Sequence, residues 1–405
     1  ACVRQGDAAG AAEALKRICA LRSGRKGPMF GLGAAYHDHA RCRDTEAVLR
    51  KILTASPDNV TALANLGAVL KKQLRLDEAL AHLRHALELR PDLPGVLLDM
   101  GNVLWRQGRF DEALVQFDRA LQIDPEQPAV HFSRSVVLLR QGTMPEGWRE
   151  YRWRWRWSGF NSVHVQRRFK TPAWNGEDLR GRRILLHYEQ GVGDMIQFVR
   201  FVPRVLARGG RVALEVQAPL VRLMERVDGV EEVVAAESRA LTVQAYAALM
   251  DLPAVFGTTV ETVPNEVPYL SPYPEDLAAW RDRLGPDDGR LKVGLAWAGN
   301  TQNPSDAIRS IDAALYRPLL GVKGPRFYSL QVGRDGDLAK LDGCQITDLA
   351  PHLNDFADTA AAVSLLDLVI SVDTAVFHRA GALPNPLSIP LHHPTQRPSL
   401  HGRDD

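Results

Sequence analysis

One period governs the first third of the chain. Gly33, Gly67, Gly101 and Ser135 fall at successive steps of it, as do Pro57, Pro91 and Pro125, and each step is 34 residues long. A period in this range means that each step is one small supersecondary unit, unable to bury its apolar face alone, so that neighbours must stack into a solenoid. Within a unit, Leu66-Gly67 belongs to a first helix, Ala79 and Leu83 to a second, and Pro91 ends it; Met100-Gly101, Ala113, Phe117 and Pro125 repeat the scheme. Small residues at Gly67 and Ala79, twelve apart, let the two antiparallel helices approach closely, while Leu83 or Phe117 fills the space between neighbouring units. Proline then blocks continuation of the helix.

A 34-residue helix-turn-helix period of this pattern is that of the tetratricopeptide repeat. Three units run from Gly33 to Pro125, a fourth continues into Gly147-Trp148, and residues 1–22 read as the worn second helix of an earlier one. The array is assigned to residues 1–157. Asp77-Glu78 and Asp111-Glu112 open second helices, where the helix dipole favours carboxylates, and they need no catalytic role. The concave face of such a stack is expected to hold a protein or peptide. A spacer or dimerisation arm is the alternative.

Composition narrows the classes. With 50 basic against 48 acidic side chains the net charge is +2, which supplies no global field for nucleic acid, and no nucleic-acid partner is expected. No stretch reaches the ~18 apolar residues of a membrane span. Cys2, Cys19, Cys42 and Cys344 fit neither a disulfide framework nor a zinc motif and read as reduced thiols, so the expected location is cytoplasmic. The Tyr151-Arg-Trp-Arg-Trp-Arg-Trp157 run alternates rings and cations, a pattern able to stack on bases or to sit peripherally at a membrane surface. A structural reading is preferred, with Tyr151 taking the Leu83 and Phe117 position and Arg–Trp packing cementing the last repeat to the next domain.

Residues 158–181 are read as a linker. From Arg183 short apolar runs alternate with amphipathic helices, the sign of a parallel sheet with covering helices. Strands are expected at 183–187, 211–216, 231–234, 292–297, 326–330 and 368–372, in two tandem series. The first lobe is placed at 182–284 and the second at 285–383. Ligands gather at the carboxyl ends of strands in such sheets, which singles out three segments.

In Glu189-Gln-Gly191-Val-Gly193-Asp194, the glycines would let backbone amides approach a substrate and Asp194 opens a helix; a simple cap explains these residues equally well. The dinucleotide fingerprint fails, because its third glycine would fall at Ile196. Trp297-Ala298-Gly299-Asn300, followed by Arg309-Ser310, is the second segment, with a plain turn as its alternative. The third is Asp373-Thr374-Ala-Val-Phe-His378, where Thr374 and His378 share a helix face and the helix amides could hold phosphate, with a capped helix and a half-buried His as the alternative.

Together with Ser329-Leu330-Gln331, Asp355-Phe-Ala-Asp-Thr359 and Leu366-Asp-Leu-Val-Ile-Ser371, these segments resemble, in order, the bacterial tetratricopeptide proteins with a heptosyltransferase-like (glycosyltransferase family nine) domain. The resemblance implies a GT-B pair of Rossmann-type lobes and metal-independent, inverting transfer from a nucleoside diphosphate sugar, a co-substrate in place of any cofactor. By position, it makes Asp194 the general base. Donor binding falls to Gly191, Gly193, Trp297, Gly299, Asn300, Arg309, Gln331, Asp373, Thr374 and His378, with no metal ligand.

Asp335-Gly336-Asp337 spells the Asp-x-Asp of metal-dependent transferases, but it sits in a turn-rich loop and is set aside. After Leu383 the chain departs from the family pattern, and residues 384–405 read as an aberrant or disordered tail that truncates the second lobe. A repeat scaffold with a decayed transferase domain is therefore the alternative function.

Overall fold

In the computed structural model the described residues are 39–160, 171–236, 238, 241–299, 306, 310–334, 336–372, 374–376, 381–383 and 387–391. The expected helix at 1–22 lies outside them. The chain divides into two compact units, Ala1–Asn161 and Ser162–Asp405.

The first unit is a ladder of antiparallel helices: α1 (His39–Ala55), α2 (Val60–Lys72), α3 (Leu76–Leu89), α4 (Pro94–Arg106), α5 (Phe110–Ile123), α6 (Pro128–Arg140) and α7 (Met144–Tyr151). Leu83 and Phe117, expected to fill the space between neighbouring units, pack against the glycine of their own hairpin. A Cβ added at Gly101 would stand 2.4 Å from Phe117 Cε1, and one added at Gly67 would stand 2.6 Å from Leu83 Cγ. Leu83 and Phe117 are both fully buried, so the glycine and its large partner form one packing element in each unit.

Polar rungs tie each unit to the next. Gln107 Nε2 donates to Asp77 at 2.8 Å and Gln141 Nε2 to Asp111 at 2.7 Å, while Gln73 donates to Glu46 at 3.0 Å. Burial pushes the Glu46 carboxyl up, but hydrogen bonds from Gln73, Arg75 and Arg50 outweigh it and hold the group below its ordinary range.

The Tyr151–Trp157 run is folded back onto the last repeat. Arg154 is fully buried, its guanidinium 4.4 Å from the Tyr151 ring and 4.5 Å from the Trp155 ring. Trp153 stacks on His131 at 3.8 Å and carries Arg156 at 4.3 Å. Phe132 meets Tyr151 and Trp157 at 5.5 and 5.2 Å. The alternation of ring and cation thus builds stacks within the unit.

The second unit contains two parallel sheets in tandem. The first has the order β3-β2-β1-β4, from β1 (Arg183–His187), β2 (Arg211–Val216), β3 (Val230–Ala235) and β4 (Ala245–Ala248). The second has the order β7-β6-β5-β8-β9, from β5 (Lys292–Ala296), β6 (Arg326–Ser329), β7 (Ile346–Asp348), β8 (Leu368–Val372) and β9 (Leu387–Leu391). All the pairings between these strands are parallel. Among the described residues, the chain is an α-solenoid followed by two tandem α/β lobes, each built on a parallel sheet.

Three boundaries differ from expectation. Part of the 158–181 linker belongs to the first lobe: Ala173 bridges to Tyr246, Trp174 is buried with its ring 5.7 Å from Phe256, and Leu179 is fully buried. The helix Pro274–Leu284, placed in the first lobe, packs instead along Phe356–Ser364 of the second, and Tyr328 Oη donates to Leu284 O at 3.1 Å. Residues 387–391, read as tail, form β9, paired with β8 from Leu368↔Leu387 to Val372↔Leu391. Pro390 is tolerated because β9 is an edge strand, one of whose sides needs no amide.

Candidate functional site

The first of the three strand ends is the turn after β1. Gly191 N-caps the helix Val192–Phe198, and its N–H donates to Asp194 Oδ2 at 2.9 Å, the reciprocal contact of a capping box. Gly191 has φ −69, so glycine is not required here by backbone conformation. A Cβ at Gly191 would stand 3.3 Å from Asp194 Oδ2, so the missing side chain leaves room around that carboxylate. Asp194 is half-buried, and Gly193 lies in the first turn of the same helix.

The second strand end, after β5, is braced by the exit of β6. Gln331 Oε1 accepts from both Trp297 N and Ala298 N, at 3.1 and 2.8 Å. Trp297 is fully buried, donates its indole N–H to Asp337 Oδ2 at 2.9 Å and lies 6.0 Å from the Tyr316 ring. Burial pushes the Tyr316 hydroxyl well above its usual value. Trp297 and Gln331, expected to bind donor, are thus spent on the protein's own backbone and core; they shape this loop rather than reach out from it.

Gly299 N–H donates to Ser310 Oγ at 3.1 Å, and Ser310 Oγ donates to Asp306 Oδ1 at 2.8 Å. Arg334 closes the ring, pairing with Asp306 and donating to Gly299 O at 3.3 Å. Asn300 and Arg309 lie outside the described residues.

The third strand end follows β8. Ser371 is fully buried, its Oγ donates to Val372 O at 2.8 Å, and it lies 3.1 Å from Thr374 Oγ1. Asp373 and His378 lie outside the described residues.

Sequence reasoning misses Arg334, Asp306 and Asp337 as bracing groups. Arg334 and Asp306 carry no motif. Asp337 does carry one, but the carboxylate it contributes to Asp-x-Asp is taken by the Trp297 indole and by Lys340 Nζ at 3.1 Å. Among the described residues no group of acidic, histidine or cysteine side chains is arranged to hold a metal ion.

A fourth contact joins the two lobes. Arg222, on the helix Val221–Met224 that follows β2, donates to Asp355 Oδ2 at 2.8 Å and to Asp276 Oδ1 and Oδ2 at 3.0 and 2.7 Å. Asp355 lies on the connection that follows β7, and its other oxygen caps Phe356–Ser364 through Ala357 N and Asp358 N. The Asp355 and Asp276 carboxylates raise the Arg222 guanidinium above its ordinary value against the opposing effect of burial, with Asp355 the largest influence.

The helix tips after β2 and β7 lie at the carboxyl edges of their sheets, so Arg222 links these two edges directly. Replacing Gln331 by Leu should lower stability by about 1–3 kcal/mol, because two buried amides lose their acceptor; thermal unfolding of the full chain measures it.

The tetratricopeptide repeat family model matches residues 58–126. Residues 58–126, within the first unit, are tetratricopeptide repeats. Protein FlbA of Caulobacter vibrioides is 31% identical over 274 residues, which are 60% of this chain and 44% of that protein. The chain therefore spans less than half the length of this curated relative.

Among solved structures, the glycosyl transferase family 9 protein of Veillonella parvula is 11% identical, covering 54% of this chain and 88% of its own, with a TM-score of 0.42. The ADP-heptose lps heptosyltransferase II of E. coli is 13% identical, covering 52% and 84%, with a TM-score of 0.40. No helix among the described residues is long and apolar enough to cross a membrane.

Proposed function

We propose that this tetratricopeptide-repeat protein transfers a sugar from a nucleoside diphosphate sugar to a hydroxyl of a protein or glycan acceptor. The reading is supported above all by one observation: the Gly191–Asp194 turn and the Ser371–Thr374 pair both follow carboxyl ends of parallel strands, in lobes whose carboxyl edges are joined by Arg222. Ligand crevices of open α/β sheets form at such edges.

In the proposed step Asp194 takes the acceptor proton as the acceptor oxygen forms its bond to the anomeric carbon. The bond from that carbon to the diphosphate breaks, its electron pair leaves with the diphosphate, and the configuration inverts. A positioned base of this kind contributes ~10²- to 10⁴-fold. Charge on the departing diphosphate would be offset by Arg309 and by backbone amides at the start of the helix after β8, with Asp373, Thr374 and His378 holding the donor and no metal required. The Gln331, Trp297 and Arg334 contacts brace the backbone at Trp297–Gly299, next to Asn300 in sequence. The repeats would present the acceptor or a partner protein.

Calorimetry of the full chain with a panel of nucleoside diphosphates and their sugars tests the reading. Saturable binding of one nucleotide, lost on deletion of its β-phosphate, is expected. Absence of binding across the panel would overturn the transferase reading in favour of a repeat scaffold.

A further inference from the structure

The contacts of Arg222 go beyond an ordinary surface ion pair. Its side chain, 44% exposed, faces the side chains of Asp276 and Asp355, only 15% and 20% exposed, with Asp358 3.9 Å away at 15%. The Tyr273 ring lies 5.7 Å from Arg222 and 5.1 Å from Arg226, and its hydroxyl donates to Glu225 at 3.2 Å. One short helix of the first lobe is thus gripped by the aromatic and acidic groups that begin two helices, Pro274–Leu284 and Phe356–Ser364.

A planar guanidinium can donate to two carboxylates at fixed angles, which lysine cannot do. Asp355 is fixed in turn, because the oxygen not facing Arg222 is engaged by two helix amides. The clasp therefore has one carboxylate anchored on its own helix.

We infer that Arg222 is a positioning residue, setting the separation of the two carboxyl edges through Asp276 and Asp355. The inference rests on the proposed transfer for its catalytic consequence but not for its geometry. A donor held by one lobe and a base carried by the other react only at the correct distance, and a displacement of about 1 Å is enough to cost ~100-fold. Loss of the clasp should therefore lower kcat much more than it weakens donor binding.

The test uses the full chain with its native cysteines replaced by serine and spin labels at Asp178→Cys and Val322→Cys, one in each lobe. Distances are read by double electron-electron resonance for the parent chain, for Arg222→Ala, and for Asp276→Asn combined with Asp355→Asn. Asparagine still caps a helix, so the double variant removes charge without removing the cap. A narrow distance distribution in the parent, broadened in both variants, is expected, with kcat lowered ~10- to 100-fold and nucleotide affinity held.

Arg222→Lys should restore only part of the narrow distribution. An unchanged distribution in both variants, or an unchanged kcat despite a broadened one, would overturn the proposal. Failure of the parent chain to turn over would count against the transferase reading, and the distance measurement would then decide the clasp by itself.

Discussion

Replacing Asp194 by Asn is expected to lower sugar transfer by at least ~100-fold while nucleotide affinity holds. The substitution separates two roles of one side chain. As a cap, Asp194 accepts the Gly191 N–H through Oδ2, and an asparagine carbonyl oxygen can accept it as well. As a base, it must take a proton, which an amide cannot do. Asp194→Ala removes both functions and should also lower stability by ~0.5–2 kcal/mol, the ordinary value of such a contact. Single-turnover transfer, nucleotide calorimetry and thermal unfolding, measured on both variants, resolve the roles. An Asn variant transferring at the unmodified rate would refute the assigned base.

The second large effect lies in the repeats. Phe117→Ala should cost about 3–5 kcal/mol of the stability of the array, as expected for emptying a fully buried aromatic site. Gly101→Ala should cost about 1–3 kcal/mol for the opposite reason, since its new methyl would fall 2.4 Å from Phe117 Cε1. The two sites share one volume. Gly101→Ala combined with Phe117→Leu should therefore be less destabilised than the sum of the two single changes, by a coupling of about 0.5–3 kcal/mol. Strict additivity in chemical denaturation would show that the glycine and the ring are not a single packing element.

These two predictions also mark how much the amino-acid sequence discloses. The recurrence was legible, with Gly67 and Leu83 one period before Gly101 and Phe117, but the packing of each glycine on the large residue of its own hairpin was not, because spacing alone does not say which pair of helices that residue fills. Strands β1, β2 and β8 were legible as apolar runs between turn signals. Strand β4 was not, because Ala-Tyr-Ala-Ala has little strand propensity of its own and is held by its neighbour β1. Strand β9 was missed because its Pro390 and the prolines before it read as a break, whereas an edge position tolerates them.

The candidate site divides in the same way. Asp194 and Thr374 stand out because each follows a strand and opens a helix. Arg222, Asp306 and Arg334 do not, since each acquires its role only from a partner distant in sequence: Asp355 for Arg222, and Arg334 for Asp306. No local pattern encodes a contact across 133 residues. Trp297 and Gln331 show the converse, with a recognisable motif whose side chains face inward to build the loop.

The polar rungs between repeats have a bearing on how this array fails. Gln107 reaches back to Asp77 and Gln141 to Asp111, so each hairpin is fastened to its immediate neighbour by a bond of the same type. In such a chain of nearest-neighbour couplings, damage at one hairpin weakens the two joints beside it and leaves distant hairpins intact. Melting would then start at the poorest joint and travel along the row like a zip, giving broad, position-dependent protection from hydrogen exchange in place of one sharp transition.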